Sequence, residues 1–294
     1  MIIVIIGPTG IGKTKLSIAL AKYFNTEIIS GDSVQVYKEL NIGSAKITKE
    51  ESKGITHHLI DIMEPTEEYS VALYQKAVRQ KISEFKEQNK TPIIVGGTGL
   101  YIKSVLYDYN FDDSKRDSTL EEKYKDFSNE KLHNVLKELD VASSEIIHMN
   151  NRKRLIQAIS RAGTNKVSDN RNKDIALYDF KIIGLTKDRE TLYEIINNRV
   201  DIMIEQGLVD EVKRLYDKGI RSNSVSAIGY KELYKFFDKE WTLEFAIDKI
   251  KQHSRNLAKK QFTFFNNQFN TNWITVDLNN FNNTIEEALK IIEN

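Results

Sequence analysis

The chain of 294 residues contains no cysteine, so it can form neither a disulfide nor a thiolate metal site, which fits a reducing compartment. It also lacks any apolar run near the ~18–20 residues that span a bilayer. The apolar start, residues 1–6, runs straight into a glycine-rich turn. It has no basic flank, is too short for a secretory core and has no cleavage site. A soluble, cytoplasmic protein without membrane contact is expected. Charge of one sign is missing too: 43 Lys and Arg stand against 42 Asp and Glu, a formal net of +1. Any surface for a polyanion must therefore be local. No internal repeat is present. Hydrophobic residues make up 40% and charged residues 29%, enough for a folded interior. The length suits one large domain with an insert or second lobe.

The most informative run is Gly7-Pro8-Thr9-Gly10-Ile11-Gly12-Lys13-Thr14, which fits G-x-x-x-x-G-K-[ST] at every fixed position. It lies between an apolar strand-like run and a helix-like stretch, residues 13–24, the context such a loop requires. Its glycines let backbone N–H groups turn inward around a polyphosphate, and the helix N-terminus adds partial positive charge. Lys13 supplies a point charge, and the Thr14 hydroxyl can ligate Mg²⁺. The loop reports a phosphate-rich ligand without saying whether a phosphoryl group moves.

Strand and helix signals alternate over the first hundred residues. Strands are expected at 2–6, 27–30, 58–62 and 92–95, and Ser70 is a candidate cap for a helix reaching about residue 89. This is βαβ patterning, hence a parallel sheet. From 118 to about 163 only helical periodicity is found, with Leu132, Val135, Leu136 and Leu139 on one face. Residues 163–173 are polar and Asn-rich and read as a mobile loop. Strand character returns at 180–185. Helices then follow at 191–205, 209–217, 227–237 and 242–265, with a last strand at 273–276 and a last helix at 284–292. The expected organisation is an α/β core with a parallel sheet, residues 1–110 and 179–294, carrying a helix-rich C-terminal part and a helical insertion at 111–178.

Three polar turns fall at expected strand ends, where open parallel sheets bind ligands. They are the phosphate loop, Gly31-Asp32-Ser33-Val34-Gln35 and Gly96-Gly97-Thr98-Gly99. Asp32 fits either a general base facing the phosphates or a loop anchor. The glycine turn either brings backbone close to a ligand, with the Thr98 hydroxyl as partner, or is a tight strand-to-helix turn. Arg199 lies in an expected helix and gains a role only if that helix points at the phosphates. His57 and His58 would face opposite sides of a strand, so a shared metal is not expected. Between 151 and 173, Arg152, Lys153, Arg154, Arg161, Lys166, Arg171 and Lys173 stand against the single carboxylate Asp169. That skew suits a phosphate backbone, or a solvated helix face. A second basic run is Lys251, Arg255, Lys259 and Lys260. The strand at 92–95 ends in glycines rather than in the Mg²⁺-holding Asp usual in nucleotide hydrolases, and Asp188 is a poor substitute. A ligand other than a hydrolysed nucleotide is therefore in view, with a small-molecule or nucleoside kinase as the alternative.

The residues also resemble a known family, the bacterial tRNA dimethylallyltransferases. The resemblance is carried by residues 7–14, Asp32-Ser33-Val34-Gln35-Val36-Tyr37, Gly43-Ser44-Ala45-Lys46, His57-His58-Leu59-Ile60-Asp61, Gly96-Gly97-Thr98-Gly99-Leu100-Tyr101, Arg199-Val200-Asp201, Ala227-Ile228-Gly229-Tyr230-Lys231-Glu232 and Leu257-Ala258-Lys259-Lys260-Gln261. It spans nearly the whole chain. It implies a P-loop NTPase-like core whose loop holds the diphosphate of dimethylallyl diphosphate, with Mg²⁺, and a helical insert that grips a tRNA anticodon arm. By resemblance Asp32 is the general base, Arg199 the catalytic arginine, and Lys13 and Thr14 position the diphosphate. The same resemblance makes Asp32, Ser33, Val34, Gln35, Thr98, Lys153, Arg154, Leu155, Ile156, Gln157, Ser226, Ala227, Ile228, Gly229, Tyr230 and Lys231 tRNA contacts. Ser226 departs from relatives that carry Arg or Gln there. The implied protein works as a monomer.

Overall fold

A computed structural model describes residues 1–109, 111, 122–162 and 174–294. Six strands, β1 (Ile2–Ile6), β2 (Ile28–Ser30), β3 (His57–His58), β4 (Ile93–Gly96), β5 (Phe180–Thr186) and β6 (Asn272–Thr275), form one sheet in the order β3-β2-β4-β1-β5-β6. Every pairing is parallel. β1 is central because it is apolar throughout. All five of its residues are buried, and its register sets Ile3 against Ile93 and Val4 against Ile182 on its two flanks. Full burial of each such side chain contributes roughly 1.5–3 kcal/mol, which makes this strand the anchor of the sheet.

The helices are α1 (Lys13–Tyr23), α2 (Lys49–Ser52), α3 (Val71–Glu87), α4 (Gly99–Leu106), α5 (Asn129–Leu139), α6 (Val141–Ile146), α7 (Arg152–Arg161), α8 (Arg189–Glu205), α9 (Leu208–Asp217), α10 (Tyr230–Phe237), α11 (Leu243–Gln268) and α12 (Phe281–Glu293). The chain divides into two compact units, residues 1–106 with 178–294, and residues 107–177. The larger holds the sheet core, with Ile3, Ile5, Leu16 and Ile183, and a helical core, with Val200, Leu208, Val212, Tyr230 and Leu233. The smaller is closed by Tyr124, Leu132, Leu136, Leu155 and Ile159. Among the described residues no helix is long and apolar enough to cross a membrane.

Several elements differ from the sequence expectation for local reasons. The strand expected over 58–62 stops at His58, because Leu59 and Asp61 adopt φ of 62° and 57°, which an extended strand excludes. The helix expected from 227 starts at Tyr230, after a 3₁₀ turn at Asn223–Ser226 and a left-handed Gly229. Leu139, expected on the apolar face of α5, is exposed, since the helix ends there and Asp140 caps α6. Ser70 caps α3 by accepting from Leu73 N, as its position suggested. The Asn-rich loop at 163–173, with Lys166, Asp169, Arg171 and Lys173 of the basic cluster, lies outside the described residues, as does most of 108–117.

Candidate active site

The phosphate loop leaves β1 at Gly7 and enters α1 at Gly12. Gly10 and Gly12 sit at φ 81° and 100°, where only glycine is unstrained. Gly12 occupies the cap position of α1 without a side-chain cap, so the first N–H groups of the helix are left for a ligand. Thr9, Gly10, Lys13 and Thr14 line a cavity of about 1000 Å³. Ile11 points the other way and is buried in the sheet core, so only its backbone could serve a ligand.

Lys13 folds back on its own loop. Its Nζ donates to Gly7 O (2.9 Å) and Pro8 O (2.7 Å). Burial pushes its pKa down to about 8. That value already includes a smaller lowering by Arg199 and an opposing pull from Asp32. Arg199 comes from α8, and its Cδ lies 3.7 Å from where a Cβ on Gly10 would stand. The helix thus does aim it at the phosphate loop. Burial holds its pKa below the usual guanidinium value, with Glu51 opposing, and its Nε is buried without a hydrogen-bond partner. Neither cation has an ion pair among the described residues. An unpaired buried cation is costly, and an anionic ligand would relieve both.

The other two turns open on the same cavity. Asp32 Oδ1 accepts from Val34 N (2.8 Å) and Gln35 N (3.2 Å), so this oxygen is a loop anchor. Oδ2 makes no hydrogen bond among the described residues and is available for a proton. Gln35 is fixed by donating from Nε2 to Ser44 O (3.2 Å) and Ala45 O (3.3 Å). Gly96 packs so tightly on Gly31 that a Cβ would fall 2.1 Å from Gly31 O. Gly97 lines the cavity, whereas Thr98 donates to Ser33 Oγ at 3.4 Å and ties the two turns together.

Of residues 226–231, all but Tyr230 line the cavity. Tyr230 is fully buried and donates to Glu211 Oε1 (2.7 Å), so it is a packing residue rather than a contact. In the smaller unit Leu155 and Ile156 are likewise core residues, because α7 is amphipathic. Its exposed positions are Lys153, Arg154, Gln157 and Ser160. Arg152 is not free for a ligand either, since its guanidinium donates to the carbonyls of Tyr124, Lys125 and Phe127. Asp188 caps α8 by accepting from Thr191 N and has no place in a metal site. His57 contacts Ile55 O and His58 contacts Glu27, so the two do not share a ligand.

With this geometry in place, similarity to known proteins becomes informative. The family model described as IPP transferase matches residues 35–268. The chain belongs to the IPP transferase family. It is 48% identical to a protein named tRNA dimethylallyltransferase from Anoxybacillus flavithermus, over 99% of this chain and 96% of that one. The full-length tRNA isopentenylpyrophosphate transferase of Bacillus halodurans superposes with TM-score 0.77 at 43% identity, covering 99% of this chain and 95% of that one. A eukaryotic dimethylallyltransferase captured acting on tRNA superposes with TM-score 0.83 at 27% identity, covering 99% and 79%. The region matched by the family model begins at Gln35, so in this chain the phosphate loop is identified by its own sequence and shape.

Glu51, Lys53, His253 and Ser254 also line the cavity, and sequence reasoning missed them. No local signal marks Glu51 or Lys53, which sit in and after the short helix α2. His253 could have been found on the α11 row Ile250, Ser254, Leu257 and Gln261, which faces the cavity at helical spacing.

The state of Lys13 has a consequence for stability. In the unfolded chain its proton is held to about pH 10.5, in the folded chain only to about 8. Below pH 8 the buried charge costs on the order of 3 kcal/mol, and that cost fades as pH rises from 8 to 10.5. Lys13→Met should therefore raise the thermal midpoint of the ligand-free IPP transferase by a few degrees at pH 7. The gain should shrink toward pH 10, as melting curves at the two pH values would record.

Proposed function

We propose that this chain is a tRNA dimethylallyltransferase. It moves the dimethylallyl group of dimethylallyl diphosphate to the exocyclic N6 of the adenosine 3′-adjacent to the anticodon and releases diphosphate. The observation that carries the reading is the opposition of two partly buried cations without ion pairs among the described residues, Lys13 and Arg199, at the phosphate loop to the unbonded Oδ2 of Asp32 in the same cavity.

The reaction needs those two poles. The amine lone pair is conjugated with the purine ring, so the nitrogen is a weak nucleophile. It forms the new N–C bond at C1 of the allyl chain as the C1–O bond breaks, and the electron pair leaves with diphosphate. Lys13, Arg199 and the amides at the start of α1 offset the charge on the departing oxygens. Asp32 takes the proton that the amine loses. The base must be turned out of its stack to enter the cavity. Ser33, Val34, Gln35, Thr98 and residues 226–229 and 231 stand in or beside the path it takes. Lys153, Arg154 and Gln157 offer the smaller unit's polar surface to the anticodon arm.

The metal we propose is Mg²⁺. Among the described residues no three His, Asp or Glu side chains gather as a metal cage. That suits an ion held largely by substrate phosphates and water, with the Thr14 hydroxyl as protein ligand. When bound, it would neutralise charge on the diphosphate. Action as a monomer in the cytoplasm is part of the same proposal.

The test is incubation with unmodified tRNA and radiolabelled dimethylallyl diphosphate, beside a parallel reaction with labelled ATP and small acceptors. Label is expected in tRNA, at the nucleoside following the anticodon when digests are resolved by mass spectrometry. Phosphate on a small acceptor, with no label in tRNA, would replace this reading with a kinase.

A further inference from the structure

Glu232, at the third position of α10, is 1% exposed, yet it faces a residue of the cavity wall. Its Oε2 accepts from Gly229 N (2.8 Å), and its Oε1 lies 2.6 Å from His253 Nδ1 and 3.7 Å from Lys231 Nζ. An ionised carboxylate only accepts, so the short contact makes Nδ1 the donor and fixes the ring. The other nitrogen, Nε2, makes no hydrogen bond among the described residues. Unlike His57 Nε2, it is not sealed from solvent. His253 lines the cavity beside Ser254, and Lys231 and Lys260 line it too. The carboxylate nearest to it is already committed to Gly229 N and to the ring.

Position along α11 separates this group from the glycine turn that follows β4. Gln261 donates to Gly97 O (3.0 Å), so that end of the row lies at the carboxyl end of β4. His253 is eight residues earlier, roughly 12 Å along the helix axis at 1.5 Å per residue. A diphosphate bound at residues 7–14 is already served by Lys13 and Arg199. A second anion at His253 therefore belongs to the larger substrate.

We propose that His253, oriented by the buried Glu232, binds a backbone phosphate of the RNA substrate through Nε2. This rests on the reading of the protein as acting on tRNA. In the complex Nδ1 donates to Glu232 and Nε2 to the phosphate, so the ring lies between the two anions. This gives a charge-assisted hydrogen bond at each nitrogen. Glu232 acts through His253 and is a positioning residue.

The experiment measures binding of an anticodon stem-loop RNA by fluorescence anisotropy across a salt series, with steady-state kinetics on full tRNA in parallel. His253→Ala should weaken RNA binding about tenfold. It should also make the slope of log K against log salt shallower by ~0.7, the value for one single-strand phosphate contact. The KM for dimethylallyl diphosphate and the kcat at saturating tRNA should stay at wild-type values. His253→Arg should keep the slope, because it retains a cation, which a purely structural role would not predict. Glu232→Gln should weaken RNA binding without affecting the donor KM. An unchanged slope in His253→Ala, or loss of the slope in His253→Arg as well, would overturn the proposal. If wild-type protein binds the stem-loop but transfers no prenyl group, the proposed reaction fails while the phosphate contact is still read from the slopes.

Discussion

Asp32→Asn is expected to lower prenyl transfer by roughly 10²–10⁴-fold, the range for loss of a positioned general base, with little change in tRNA affinity. The substitution separates the two jobs of this side chain. An Asn oxygen still accepts from Val34 N and Gln35 N, so the turn keeps its shape. What disappears is the carboxylate oxygen Oδ2, which has no partner among the described residues. Asp32→Ala removes anchor and base together and should cost affinity as well as rate. Single-turnover kinetics at saturating tRNA would read the chemical step alone. Near wild-type turnover in Asp32→Asn would leave Asp32 as an anchor and nothing more.

Arg199→Ala should cost about 10³-fold in kcat, within the range for removing a group that meets developing negative charge in a closed site. The reason is the environment of the guanidinium. Burial lowers its pKa, and its Nε has no partner, so its interaction energy is free for an anion. Lys13 should regain a higher pKa in the same variant, because Arg199 is one of the groups that lowers it. The donor-side profile of kcat/KM against pH would then fall at a higher pH than in the wild type, where it should decline above about 8. Loss of tRNA binding with the chemical step intact would remove Arg199 from this role.

The parallel core was legible because its strands are short, wholly apolar and bounded by glycine turns, as residues 2–6 and 93–96 illustrate. The phosphate loop was legible because its chemistry is local: eight consecutive residues carry it. Arg199 could be named only conditionally, since nothing within α8 says where that helix points. Tyr230, Leu155 and Ile156 show the opposite error. A contiguous run of candidate contacts cannot all face a ligand when the run is helical, and α7 and α10 each turn part of it into a core. The pairing of His253 with Glu232 escaped notice because it spans 21 residues and two helices. The Asn-rich segment after 266 supplies the cap of α12 through Asn280 and a sheet contact through Asn272.

On the proposed reading, the locked amide of Gln35 would bear on which purine can be admitted. Both hydrogens of its nitrogen are spent on Ser44 and Ala45, and Ser30 donates to its oxygen at 3.3 Å. Turning the amide over would forfeit all three bonds. The group can offer an incoming base only a lone pair, as can the carboxylate of Asp32 beside it. A purine presenting an amino edge meets complementary polarity there. One presenting a keto edge would set oxygen against oxygen, so a base entering beside Gln35 would be discriminated by a side chain that does not have to move.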